Sequence, residues 1–177
     1  MNSLKITSLL FYLCFCISTV VAQEYDDLLW DKDRLLTWED FKGKPENSAA
    51  AAITASGISY RFSTSNHNGK MEVDFEVKSF FYPGSSWYRP AVCDAFILEH
   101  EQHHFDITEL YTRKFIKRLN TTTFTDNIKA EVKKIYKEIL KELAAYQDLY
   151  DTETNFSRNS EQQILWNAKI VKALQLN

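Results

Sequence analysis

Residues 90–119 read PAVCDAFILEHEQHHFDITELYTRKFIKRL, and this stretch decides the fold of the chain. Apolar side chains recur in it at intervals of three and four, the period of a helix with one apolar face. They are Val92, Phe96, Ile97, Ile107, Tyr111 and Phe115. The pattern predicts a long helix from about Pro90 to Leu119, so the neighbouring segments must supply a surface that covers its apolar face.

The sequence beyond this helix predicts two more. A second apolar stripe indicates a long helix from about Asp126 to Tyr150, and an acidic residue at its start favours the helix dipole. The stripe consists of Ile128, Val132, Ile135, Ile139, Leu143 and Tyr146. After a polar stretch over residues 151–160, a last apolar pattern predicts a C-terminal helix containing Ile164, Leu165, Ile170, Val171 and Leu174.

The segment before the first helix alternates with a period of two, which is typical of strands. One strand carries Ile58, Tyr60 and Phe62, the next carries Val73, Phe75 and Val77, and the turn formers of residues 65–69 separate them. Residues 49–52 are compatible with a helical turn, and residues 24–47 form a lead-in whose aromatic side chains pack on the domain. The predicted class is α+β: a small antiparallel sheet packed against two long helices and a C-terminal helix.

Residues 1–22 have the organisation of a secretory signal peptide. Lys5 supplies a positive charge, residues 6–21 form an apolar run, and small residues precede a cleavage point between Ala22 and Gln23. An uncleaved membrane anchor is the alternative, but the run is shorter than the roughly 20 apolar residues of a spanning helix. We expect a secreted or periplasmic protein with no stable membrane span, in which residues 23–177 form a single domain.

Composition limits the class of protein. The chain of 177 residues is 45% hydrophobic and 25% charged, as in ordinary globular proteins. Its net charge of −3 excludes the basic surface that nucleic-acid binding requires, so we expect no nucleic-acid partner. Loss of residues 1–22 would leave Cys93 as the single cysteine and allow no internal disulfide, so stability must come from an apolar core or a metal.

The first helix carries the motif His-Glu-x-x-His as His100, Glu101 and His104. Residues four apart lie on one face of a helix, so both imidazoles can reach one metal ion. Zinc would lower the pKa of a bound water towards about 7, and Glu101 would accept its proton. The alternative is a pair of core histidines that bond to backbone, because both rings lie on the apolar face of the helix.

A third protein ligand does not follow from the motif. By helix phase, Asp106 and Glu109 point away from His100, towards other elements or solvent. His103 is expected at the surface, and Cys93 is expected to be a buried, inert thiol. The remaining candidates for the third ligand are Glu142, Asp151, Glu153 and His67.

Four segments resemble a bacterial family of unknown function described as predicted secreted zinc-dependent proteases. They are residues 36–43, 86–87, 100–113 and 150–154, with Gln163 and Trp166 beyond. The resemblance implies export, a zincin-like fold, zinc on His100 and His104, and Glu101 as base. In the family pattern a histidine follows the Tyr-Asp-x-x-Thr segment, and Phe156 stands at that position here. Either Asp151 or Glu153 then completes the site, or metal binding is weakened.

The predicted function is therefore a zinc-dependent metallopeptidase with a peptide or protein substrate. Residues 71–79 are a candidate edge strand for binding an extended peptide. Two alternatives stay open: a hydrolase of another amide bond, such as one in the cell wall, and a non-catalytic exported binding or scaffold protein with a relic or structural metal site.

Overall fold

A computed structural model of the protein describes residues 26–67 and 70–176, with the side chains of residues 67, 70 and 71 excepted. The predicted signal peptide and its cleavage point lie outside the described residues, as do Asn68 and Gly69 of the predicted turn. The described part contains the strands β1 (Leu28–Leu29), β2 (Ala52–Ile53), β3 (Ser56–His67), β4 (Lys70–Phe81) and β5 (Trp87–Tyr88) and the helices α1 (Ala95–Asn120), α2 (Ile128–Thr154) and α3 (Ser160–Leu176).

The strands form antiparallel sheets. Strands β3 and β4 pair along their whole length, from Ser56 opposite Phe81 to His67 opposite Lys70, and β1 adds to the far end of β4. The predicted alternation is confirmed, because the apolar residues of both strands pack towards the helices while their neighbours Ser59 and Asp74 are exposed. A separate small sheet joins β2 to β5, with Ile53 opposite Trp87.

The α+β class and the three helices are confirmed, with different boundaries. Helix α1 begins at Ala95 and not near Pro90, because the Asp94 carboxylate accepts a hydrogen bond from the backbone N–H of Ile97 at 2.9 Å and caps the helix. Cys93 therefore precedes the helix. Residues 49–52 do not form a helical turn; they run as bends into β2.

Helix α2 continues past Tyr150 to Thr154, through residues that the sequence placed in a polar connection. Their polar groups have partners within the fold: Glu153 Oε2 accepts from the indole N–H of Trp166 at 2.7 Å, and the Thr154 hydroxyl donates to the Tyr150 carbonyl at 2.7 Å. A polar stretch can thus remain helical when packing satisfies it.

Helix α1 is the centre of the molecule. All nine residues from His100 to Thr108 are buried. One face joins the main core with α2, α3 and the inner side of the β3–β4 hairpin, around Ile107, Phe115 and Tyr150. The opposite face meets a second core formed with the N-terminal segment, around Leu36, Phe41, Phe81 and Phe105. A helix enclosed on both sides does not follow a one-sided amphipathic pattern.

No helix in the described part of the chain is both long enough and apolar enough to cross a bilayer.

Candidate metal centre

Three side chains on α1 and α2 bring their ligand atoms together. His100 Nε2 and His104 Nε2 lie 3.2 Å apart, and each lies 3.0 Å from Asp151 Oδ1. We call His100, His104 and Asp151 the metal-ligand cluster, since such a group could hold a metal ion. The two histidines are one turn apart on α1, and Asp151 comes from the last turn of α2.

The spacing of the cluster fits a small metal ion. A tetrahedral zinc ion with bonds of about 2.0–2.1 Å holds neighbouring ligand atoms about 3.3–3.4 Å apart. The separations of 3.0, 3.0 and 3.2 Å are close to that value. Two imidazoles and one carboxylate are also the donor set of a known class of catalytic zinc sites.

Gln147 determines which nitrogen of His104 faces the cluster. Its side-chain oxygen lies 2.7 Å from His104 Nδ1, and its amide nitrogen donates to the Thr108 hydroxyl at 3.3 Å. An amide oxygen only accepts hydrogen bonds, so the hydrogen of the neutral imidazole belongs on Nδ1. The lone pair of His104 Nε2 then points at the cluster, as metal binding requires.

Without a cation, this arrangement places two hydrogen-bond acceptors next to each other. The lone pair of His104 Nε2 would face a carboxylate oxygen of Asp151 at 3.0 Å. Burial alone lowers the pKa of His104, but the hydrogen bond that the protonated ring donates to Asp151 and the charge of Glu101 outweigh burial and raise that pKa above its ordinary value. The same site favours a metal ion for the same electrostatic reason.

The surroundings of Asp151 favour its ionised form. Burial raises the pKa of its carboxyl, but hydrogen bonds with His100 and His104 outweigh burial and hold that pKa well below its ordinary value. An ionised carboxylate is the form that binds a metal.

His100 is held by stacking. Its ring lies against that of Tyr150 with centroids 4.5 Å apart and planes 19° apart, and Tyr150 also meets the edge of His104 at 5.2 Å. Among the described residues, His100 Nδ1 has no hydrogen-bond partner. The Tyr150 ring therefore orients His100 as Gln147 orients His104.

Glu101 lies beside the cluster at the wall of a cavity of about 730 Å³. It is 5% exposed, and its Oε2 is buried and has no hydrogen-bond partner among the described residues. The Thr54 hydroxyl donates to its backbone carbonyl at 3.1 Å. Residues 49–54 line one side of the cavity and Phe156, Ser157 and Arg158 another. Glu101 therefore places a carboxylate beside the cluster at the wall of the cavity.

The other sequence candidates for ligation lie outside the cluster. Glu153 bonds to Trp166, and Glu142 pairs with Arg118 at 3.0 Å and with Lys114 at 2.6 Å. His67 belongs to the far end of β3, and its side chain is not described. The edge-strand candidate, residues 71–79, does not line the cavity, whereas residues 49–54 do.

Asp106 and Glu109 face other elements, as helix phase predicts. Asp106 accepts from the indole N–H of Trp30 at 2.8 Å, and Glu109 accepts from the Ser79 hydroxyl at 2.5 Å. The prediction that His103 lies at the surface is wrong: it is 5% exposed, and its Nδ1 lies 2.9 Å from Asp106 Oδ2. The N-terminal segment covers this side of α1, which the phase of a single helix could not reveal.

Cys93 is partly buried, and its thiol donates to the Ala51 carbonyl at 3.2 Å. Burial raises its pKa, which keeps the thiol protonated and unreactive.

Comparison with known protein families finds a match to one segment of the chain. Residues 85–158 match the model of a family described as Bacterial protein of unknown function (DUF922). The resemblance to a bacterial family of unknown function is therefore confirmed over this segment, which contains the whole metal-ligand cluster and Glu101. No curated protein and no solved structure matches the chain.

Proposed function

We propose that the protein is a zinc-dependent metallopeptidase of zincin-like organisation, exported to the periplasm or beyond, which hydrolyses peptide or related amide bonds. The observation that carries this proposal is the cluster of His100, His104 and Asp151 at a cavity wall shared with Glu101. The motif supplies two of these ligand residues and the base, and the packing of α2 on α1 supplies the third.

The donor set favours zinc over harder cations. Two imidazole nitrogens and one carboxylate suit zinc and neighbouring transition metals, whereas magnesium and calcium prefer sites made of oxygen atoms. When bound, the metal would supply Lewis acidity towards a carbonyl and would lower the pKa of water towards about 7.

The remaining chemistry belongs to the chain. Glu101 would take a proton from water and pass it to the leaving amine, because its buried Oε2 has no competing partner in the described part of the chain. Gln147 and Tyr150 would keep the two imidazoles in place. The cavity of about 730 Å³ has the size of an ordinary ligand site.

An open cavity supports catalysis over a purely structural metal. Structural zinc sites are closed by four protein ligands, whereas catalytic sites have three and leave one position open. Within the described residues the cluster offers three ligand residues and borders the cavity. With Asp151 the cluster has three ligand residues although position 156 holds a phenylalanine and not a histidine, which argues against a relic site.

The decisive experiment compares matched carboxylate variants. Purified protein is loaded with zinc, dialysed and analysed for metal, and hydrolysis is assayed with a fluorogenic peptide library. We expect about one zinc per chain in the wild type and in Glu153→Ala, and a loss of at least about 100-fold in affinity in Asp151→Ala.

Glu101→Gln separates binding from chemistry. It should keep the metal and lose hydrolysis by roughly 100-fold or more, the scale of general-base catalysis. A wild type that stays free of metal after reconstitution would end the proposal. Metal binding without hydrolysis of any peptide or cell-wall amide would favour a structural metal instead.

Export has its own test. Residues 1–22 should be absent from the protein recovered outside the cytoplasm of its host, with Gln23 as the first residue by mass spectrometry.

A further inference from the structure

The mouth of the cavity carries apolar side chains that metal binding does not require. Ile53 is 42% exposed, Val92 is 59% exposed and Phe156 is 57% exposed, and all three line the cavity that contains the metal-ligand cluster. Single exposed apolar residues are ordinary on a protein surface, but several around one cavity mark a binding surface. Ile97, which is partly buried, extends this surface towards Glu101.

Phe156 is held in its place by a strained turn. Asn155, Phe156 and Ser157 have φ values of 49°, 52° and 66°, so three consecutive residues other than glycine are left-handed. Each such residue costs about 1–2 kcal/mol, and a bulky side chain there is uncommon. Strain of this kind persists where the surrounding structure imposes it, and it concentrates at functional sites.

Backbone hydrogen bonds tie this turn to the metal-ligand cluster. The N–H of Phe156 donates to the carbonyl of Asp151 at 2.8 Å, and the N–H of Asn159 donates to the carbonyl of Thr154 at 2.8 Å. The backbone of Phe156 is thus bonded directly to that of a cluster residue. The backbone of Phe156 is therefore fixed relative to that of Asp151.

The cations at the cavity are engaged with other groups. The guanidinium of Arg89 donates to the carbonyls of Glu46 at 2.7 Å and Ser48 at 2.9 Å. The guanidinium of Arg158 lies 6.0 Å from the centre of the Phe156 ring. At this turn Phe156 contributes a large apolar ring to the lining of the cavity, which can pack against hydrocarbon.

We propose that Phe156, together with Ile53 and Val92, forms a subsite for a large apolar side chain adjacent to the bond that is cleaved, and that Phe156 is its specificity-determining residue. Cleavage of that bond rests on the proposed function, but the subsite itself does not. The substrate class is a peptide with leucine, phenylalanine or a residue of similar size next to the reacting amide.

Binding, measured apart from hydrolysis, tests the subsite. The probes are fluorophore-labelled Gly-Gly-X-Gly-Gly peptides in which X is Leu, Phe, Ala or Asp, titrated against Glu101→Gln protein with and without zinc. The central variant adds Phe156→Asn, because asparagine tolerates a left-handed backbone and removes the ring alone. Leu165→Ala is the matched control, since Leu165 is 62% exposed on α3 and does not line the cavity.

We expect the Leu and Phe peptides to bind at least about 10-fold more tightly than the Ala peptide, as apolar pockets discriminate. Phe156→Asn should reduce this ratio to about threefold or less, and Leu165→Ala should leave it unchanged. An equal ratio in Phe156→Asn, or no preference in the parent protein, would overturn the subsite.

The two proposals can fail separately. An apolar preference that depends on Phe156, in protein that hydrolyses nothing, would support the subsite and contradict the peptidase. Hydrolysis by the wild type without any such preference would do the reverse.

Discussion

Gln147 Oε1 lies 2.7 Å from His104 Nδ1, so a residue of α2 fixes the tautomer of a histidine on α1. The amide of Gln147 is itself held by Thr108, whose hydroxyl lies 2.7 Å from that of Ser56 on β3. This chain of contacts connects the sheet and both long helices to one ring nitrogen. Groups behind a metal ligand of this kind typically contribute a factor of about 10–100 to metal affinity.

Replacing Gln147 by methionine should therefore weaken zinc binding by about 10–100-fold. Methionine has a similar shape but leaves His104 Nδ1 without an acceptor. Gln147→Glu retains an acceptor and should keep wild-type affinity or exceed it. Competition with a zinc chelator measures both, and equal affinities in the two variants would show that Gln147 only fills space.

Replacing Asp106 by alanine should destabilise the fold. Its buried carboxylate accepts from Trp30 at 2.8 Å and from Gln102 at 2.9 Å, and it contacts His103 at 2.9 Å. Removing it leaves these buried donors without an acceptor, at a cost of about 2–5 kcal/mol in the free energy of unfolding. Urea denaturation measures the loss, and Asp148→Ala, at an exposed position of α2, should change stability by less than about 0.5 kcal/mol.

The contacts of Asp106 show why the sequence predicted only part of this region. Helix phase correctly separates Asp106 from the face of His100, because that relation lies within one helix. It does not reveal that the N-terminal segment covers the opposite face, where the Leu36 N–H donates to the Gln102 side chain at 2.7 Å. The sequence indicated that aromatic residues of this segment pack on the domain, but not on which side of α1.

Asp151 illustrates the same limit. Spacing within α1 predicts His100, Glu101 and His104 together, since four residues make one turn. The sequence leaves Asp151 as one of several candidates, because its proximity to His104 depends on the packing of two helices. Gln147 was not predicted at all: a glutamine on a helix has no distinguishing pattern until its partner is known. The signal that could identify Gln147 is its position: it lies one helical turn before Asp151, on the same face of α2 as this candidate carboxylate.

Replacing Tyr150 by phenylalanine should leave the fold at least as stable as the wild type. The Tyr150 hydroxyl is fully buried and has no hydrogen-bond partner in the described part of the chain. Burial, followed by the charges of Glu101 and Asp151, raises the pKa of this hydroxyl, so it is a neutral phenol. Its removal relieves an unpaired polar group, with a gain of up to about 1–2 kcal/mol in the free energy of unfolding.

The ring of Tyr150 should contribute to stability and zinc affinity, although its hydroxyl does not. Tyr150→Leu removes the stack on His100 and should lower both stability and zinc affinity, while Tyr150→Phe keeps the affinity. A fall in zinc affinity or hydrolysis in Tyr150→Phe would instead assign the hydroxyl a role at the site. Thermal melts and chelator competition on the same samples distinguish these outcomes.

Alanine substitutions at Gly43 and Gly57 test how rigidly the N-terminal segment packs on the domain. A Cβ at Gly43 would lie 2.8 Å from the Ser86 carbonyl oxygen and 3.0 Å from that of Gly84, both backbone atoms. A Cβ at Gly57 would lie 2.7 Å from the Tyr82 hydroxyl, the far end of a side chain that can rotate. Gly43→Ala should therefore cost about 1–3 kcal/mol in the free energy of unfolding, and Gly57→Ala clearly less.

The physical reason is the hydrogen bonding of Gly43. Its N–H donates to the Ser86 carbonyl at 2.7 Å, so neither backbone can retreat from an added methyl group without losing that bond. Denaturation of both alanine variants in parallel measures the difference. Equal losses of unfolding free energy in the two variants would mean that the backbone around Gly43 moves as easily as a side chain. The packing of residues 38–43 beside β5 would then not be rigid.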